Sequence, residues 1–180
     1  MAKKIYEACR RLLTTCANCQ PNENILIVTD TDSLEIGMAL WDAAEEFPKK
    51  TMVMMEPRKM HGEEPTPLVA AAMLKADVIF RATKFSLSHS HARRDACAAG
   101  ARDLNCCDYS IEMLEHGGLY TDFEADRKYV DQLLKSMADG DQVHITSEAG
   151  TDYYASIKGH KLFPQYGMVR NPGETCSPPD

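Results

Sequence analysis

A chain of 180 residues, 44% hydrophobic and 26% charged, has the make-up of one globular domain, or of one domain with a small appendage. Its net charge of −7 and pI near 5.4, with basic residues scattered among acids, exclude a basic nucleic-acid-binding face. No stretch approaches the roughly 20 apolar residues that cross a bilayer, and the start carries a signal peptide's charges without its apolar run, so a cytoplasmic protein with no membrane partner is expected.

Residues Lys3 to Thr15 place Ile5, Ala8, Cys9, Leu12 and Leu13 at helical spacing, and the turn-forming run Pro21-Asn22-Glu23-Asn24 ends that segment. Ile25 to Val28 is a short apolar run rich in β-branched residues, the pattern of a strand buried on both faces. Asp32 or Ser33 then caps a helix expected to run to about Phe47. The alternation repeats: strand from Thr51, helix from Pro67, strand from Asp77, helix from His89 to a glycine stop at Gly100, strand from Arg102. Strands alternating with helices of this length predict βαβ units with right-handed crossovers. The fold class is therefore α/β, a doubly wound, mainly parallel three-layer sheet.

After about residue 107 the pattern changes to two helical stretches, Ser110 to His116 and Phe123 to Ala138. Gln142 to Thr146 and Tyr153 to Ile157 then alternate apolar and polar around Gly150, which reads as a β-hairpin. The expected organisation is an α/β domain over 1–140 and, over 141–180, the start of a second, β-containing domain that is apparently truncated. The tail from Arg170 onward has no periodicity and reads as loop.

Seven cysteines without scaffold spacing, in a chain with no export signal, read as free thiols. Cys16-x-x-Cys19 has the spacing of a zinc or redox pair, but no second pair of ligands lies nearby, so an incidental thiol pair is the simpler reading. His89 opens a helix at the carboxyl end of a strand, the edge at which open α/β sheets bind ligands. With Lys84, Arg93 and Arg94 it offers an anion-binding helix start, set against plain capping by Ser88. Asp30 and Asp32 sit at a similar edge, where helix capping explains them more simply than cation binding. The polar loop Pro57 to Pro65 is long enough to cover that edge. No GxGxxG, Walker or GxSxG motif occurs, and no residue is assigned a catalytic role.

Five phrases in order, VTDTDSLEIGMAL, PRKMHGEEPTPLVAAAMLKADVIF, TKFSLSHSHARRDACAAGARDLN, ITSEAGTD and GMVRNPGE, carry a resemblance that spans nearly the whole chain. They resemble the amino-terminal half of M29-type metallo-aminopeptidases, the leucyl aminopeptidase T group. Proteins similar to a ring-opening dihydroxypyridine dioxygenase share that scaffold with a different metal. The resemblance implies a hydrolase that removes N-terminal residues from peptides, a divalent metal (zinc, cobalt or manganese) in the full-length family, a peptide or small-molecule substrate, and a homodimer.

The family's first metal-binding glutamate lies in a loop of the form Asn-Leu-Pro-x-Gly-Glu. Asn171-Pro172-Gly173-Glu174 matches it in one alignment, which makes Glu174 a ligand. In the other, favoured alignment, Ser177 to Asp180 fall on the motif and the glutamate lies beyond it. The remaining family ligands have no counterpart here, so no metal is expected on this chain alone and peptidase activity is not expected of it. Two alternatives stand beside the peptidase: the scaffold of an iron-dependent ring-opening dioxygenase, and a non-catalytic ligand-binding or assembly domain.

Overall fold

The computed structural model describes residues 2–179. It divides into a larger unit, formed by the chain up to Thr121 together with the stretch from Gly167 onward, and a smaller unit, Asp122–Tyr166.

In the larger unit α1, Lys3–Arg11, runs into a π-helical turn at Leu12–Cys16. The predicted apolar face is the one that is buried, with Leu12 and Leu13 inaccessible to solvent. Asn18, in the left-handed region at φ 49°, turns the chain out of the helix. Strand β1, Ile25–Asp30, is buried throughout. Helix α2, Leu34–Ala43, lies so close to it that a Cβ added at Gly37 would stand 2.9 Å from the Thr29 side chain. There follow β2 (Lys50–Met55), α3 (Pro67–Met73), β3 (Val78–Ala82), α4 (His91–Ala98), β4 (Arg102–Asn105) and α5 (Ile111–His116). Proline in the first turn of α3 sits where its missing N–H costs nothing.

The smaller unit holds α6, Phe123–Met137, and an antiparallel hairpin of β5, Gln142–Thr146, and β6, Asp152–Ser156. The chain then re-enters the larger unit and adds a two-residue strand, β7 (Thr175–Cys176), parallel to β4.

The five-stranded sheet has the order β2-β1-β3-β4-β7, with every pairing parallel. The fold is thus the expected α/β class, with a hairpin set apart from the sheet. Leu26, Val28 and Ile79 pack on one face with Val69 and Met73 of α3 and Ala92 and Ala96 of α4. By alternation Ile27, Thr29 and Phe80 point to the other face, where Thr29 meets α2. Each such large apolar side chain contributes about 1.5–3 kcal/mol on burial.

Two features differ from the sequence reading. The division does not fall at residue 140, because α6 groups with the hairpin and the last residues group with the sheet. The tail is not wholly loop, since β7 exists only through pairing with β4 and two residues leave no periodicity to read. Among the described residues no helix is long and apolar enough to cross a membrane.

Candidate active-site edge

In an open parallel sheet, ligands bind outside the carboxyl ends of the strands where the strand order reverses. Here the chain runs from β1 outward to β2, then returns past β1 to β3, so the reversal lies between β1 and β3. The loops after these two strands lead to helices on opposite faces and part at that point.

The crevice is bridged from within. Asp30, fully buried at the end of β1, accepts the Ser33 N–H on Oδ1 at 2.9 Å and the Lys84 N–H on Oδ2 at 2.7 Å. Its carboxylate fixes both loops and is not presented to solvent. At the rim, exposed Asp32 is close enough to Lys84 to favour its charge, and Lys84 Nζ lies 2.6 Å from Asp108 Oδ1. The hydrogen bond that Lys84 donates to Asp108, then the charge of that carboxylate, raise the Lys84 ammonium above its ordinary value. Asp108 itself adopts φ 58°, a left-handed conformation that aspartate tolerates.

Beneath the rim lies a charged pair that the sequence reading missed. Arg81 and Asp103 are both wholly inaccessible, joined by Nε–Oδ1 at 2.7 Å and Nη2–Oδ2 at 2.8 Å. Arg81 also donates to Asn105 Oδ1 and Ser88 Oγ, and the Thr175 hydroxyl donates to Asp103 Oδ2 at 2.6 Å. Burial works against the guanidinium charge, but the Asp103 carboxylate outweighs it and holds Arg81 above its ordinary value. Neighbouring strands β3, β4 and β7 are thereby tied together at the same edge. Asn105 reaches on to Ser177 Oγ, and the Tyr109 hydroxyl donates to the Pro178 carbonyl.

The residues singled out from sequence are placed separately. His89 is exposed beside Gly62, Lys84 is engaged by Asp108, and Arg93 donates to the Ser88 carbonyl through Nε and Nη2. The start of α4 already holds an anion, because Glu64 from the preceding loop accepts the backbone N–H groups of His91 and Ala92. Ser90, two residues after the predicted capping residue Ser88, accepts from the Arg93 N–H. The polar loop does cover the edge: Gly62 N–H donates to the Ser86 carbonyl at 2.7 Å, and Ser86 N–H donates to His61 Nδ1.

Glu174 closes its own turn instead of facing a ligand. Its carboxylate accepts from the Arg170 and Asn171 N–H groups and from Asn171 Nδ2. Among the described residues there is no group of three or more His, Cys, Asp or Glu side chains that could hold a metal ion. The donor set therefore fits neither a hydrolytic nor an oxygenase metal centre. Cys16 and Cys19 are both buried, and burial pushes their thiols up to about 12, so the CxxC pair is packing. A concavity of about 220 Å3, lined by Ile25, Leu26, Thr51, Ala72 and Lys75, opens at the amino end of the strands. It lies away from the polar edge, and topology favours the polar edge as the ligand side.

The model of the NicX family, 2,5-dihydroxypyridine 5,6-dioxygenase, matches residues 4–179. The chain belongs to this dioxygenase family. Among solved structures, the 2,5-dihydroxypyridine dioxygenase from Pseudomonas putida KT2440 is similar in fold, with a TM-score of 0.74 and 16% sequence identity over 99% of this chain. The chain spans 55% of that structure's length. No curated protein sequence matches it.

These findings overturn the aminopeptidase reading, and the hydrolase and metalloprotease assignments with it. The five phrases that carried the resemblance span elements of the scaffold, among them α3, α4 and β4, and a shared scaffold does not fix the reaction.

Proposed function

We propose that this chain serves oxygen-dependent ring opening of a hydroxylated pyridine, as the α/β part of a dioxygenase whose metal ligands come from outside the described residues. The match of the dioxygenase family model to nearly the whole chain carries this reading. The metal in that role is ferrous iron, in place of the zinc, cobalt or manganese that a peptidase would take.

The chain's own contribution is binding and orientation. Lys84, with Asp32 and Asp108, forms a charged rim suited to the hydroxyl groups and ring nitrogen of a dihydroxypyridine. Asp30 fixes the backbone beneath that rim, and the Arg81–Asp103 pair keeps the three strands at its floor in register.

Thermal-shift titration of the 180-residue chain with 2,5-dihydroxypyridine tests the proposal, alongside oxygen uptake with ferrous iron present. Stabilisation by the ligand is expected, lost in Lys84→Ala and retained in Lys75→Ala at the opposite edge. Oxygen uptake by this chain alone is expected to be nil. Absence of any ligand-induced shift, or an equal loss in both variants, would refute the assignment of the edge.

A further inference from the structure

The loop between β2 and α3 is held over the carboxyl edge of the sheet at two places of different chemistry. Its tip is fixed to a single residue of the loop after β3. Gly62 N–H donates to the Ser86 carbonyl at 2.7 Å, and Ser86 N–H donates to His61 Nδ1 at 3.1 Å. Both backbone groups of Ser86 are thus taken up by this strap. Its far end is fixed by Glu64, whose two carboxylate oxygens accept the His91 and Ala92 N–H groups, and by the buried Pro65. Gly62, at φ 85°, turns the chain at the tip, where the His61 and Phe85 rings meet in a T-shape with centroids 5.3 Å apart.

The two holds respond differently to protons. A histidine Nδ1 accepts a hydrogen bond only while it carries no proton, so the closed tip requires neutral His61 with its proton on Nε2. Protonation would set Nδ1–H against the Ser86 N–H, donor against donor. The surrounding charges do not compensate an imidazolium. On its own loop Glu63 is engaged by the Lys59 N–H at 2.6 Å and by Arg58 at 3.8 Å, and Glu64 by the start of α4. On the loop after β3, Lys84 is paired with Asp108 and His89 stands beside Gly62; on α4, His91 meets Arg94 at 2.6 Å. Among the described residues no carboxylate pairs with His61 itself. Histidine changes its charge between about pH 5 and pH 8. The N–H groups of α4 hold the Glu64 carboxyl below its ordinary value, so its hold outlasts that of the tip as pH falls.

We infer that the loop over 56–65 is a strap that opens in mild acid, its tip at His61 and Gly62 lifting from Ser86 while Glu64 stays fixed to α4. In the sheet order β2-β1-β3 the loop leaves β2 and is pinned beyond β1, on the loop after β3. At neutral pH it therefore covers the edge where β1 and β3 part. Once His61 takes a proton, the strap hinges at Glu64 and Pro65 and that edge is uncovered. This gating does not depend on the proposed reaction.

Amide hydrogen exchange of the 180-residue chain, followed by NMR, tests it, with protection corrected for the intrinsic rate at each pH. Between about pH 7.5 and about pH 5.5, Gly62 and Ser86 of the wild type should lose about tenfold in protection, the size of one lost hydrogen bond. His91 and Ala92, bonded to Glu64, should keep theirs. In His61→Asn the side-chain oxygen takes the place of Nδ1 without titrating, so the tip should stay protected at both pH values. His61→Ala should leave it open at both. Unchanged protection of Gly62 and Ser86 in the wild type, a fall of equal size in His61→Asn, or a parallel loss at His91 and Ala92 would overturn the proposal.

Discussion

Replacing Asp103 by Asn removes a charge and almost no volume, which isolates the electrostatic role of the buried pair. Arg81 would keep its guanidinium in a site that is 0% accessible, facing one amide oxygen and an NH2 donor in place of the two carboxylate oxygens. Removing one partner of a buried ion pair costs about 3–5 kcal/mol, because the remaining charge stays desolvated and uncompensated. Set against a typical domain stability of about 5–15 kcal/mol, that is roughly a fifth of the total or more. A loss of this size lowers the melting temperature by on the order of 10–15 °C for a unit of this length. Trp41, the chain's one tryptophan, lies on α2 in the larger unit, so its fluorescence during urea unfolding reports the unit in question. The double variant Arg81→Met with Asp103→Leu should recover most of the stability, because the isolated charge is gone. A loss below about 1 kcal/mol for Asp103→Asn would refute the claim that this pair is desolvated and mutually dependent.

Glu64 should titrate below its ordinary value, since the backbone N–H groups at the start of α4 favour its charged form. A carboxylate with a depressed folded pKa contributes stability above its unfolded pKa and loses it as pH falls through the folded one. Glu64→Gln should therefore destabilise the protein at neutral pH and make no difference at strongly acid pH, read as melting temperature against pH. Thiol labelling followed by mass spectrometry should modify Cys107 first in the native protein. It is half-buried, whereas the other six cysteines are buried, and burial pushes Cys9 and Cys16 up to about 12.

Strands β1 and β3 were legible because fully buried parallel strands are written as unbroken apolar runs, Ile25 to Val28 and Val78 to Phe80. The same rule hid the most consequential side chain. It ended the second run at Phe80, since arginine does not announce burial, and the partner that permits it lies 22 residues away on the next strand. Such a pair is specified by sheet register, which a single sequence does not display. Asp30 was placed correctly at the crevice edge, but its carboxylate serves two loops, one of which joins the chain 54 residues later. The anion at the start of α4 is internal: Glu64 belongs to the polar loop read as long enough to cover the edge, and nothing in its own neighbourhood shows where that loop folds back. Glu174 matched the ligand motif only in the disfavoured of two alignments, and beside the glycine at φ 85° its carboxylate accepts from the Asn171 N–H of its own turn.

The return of the chain to the sheet imposes an order on folding. Thr175 must find Asp103 across a separation of 72 residues, with the whole smaller unit lying between them. During synthesis, β1 to β4 emerge and can pair long before their last neighbour exists, so β4 waits as an uncovered sheet edge beside a buried carboxylate that has one partner fewer. A contact that closes so long a loop carries a larger closure entropy than the β1–β4 pairings and adds to the contact order that slows folding. The nascent α/β unit is thus most vulnerable to wrong strand pairing in the interval when the hairpin has been made and β7 has not.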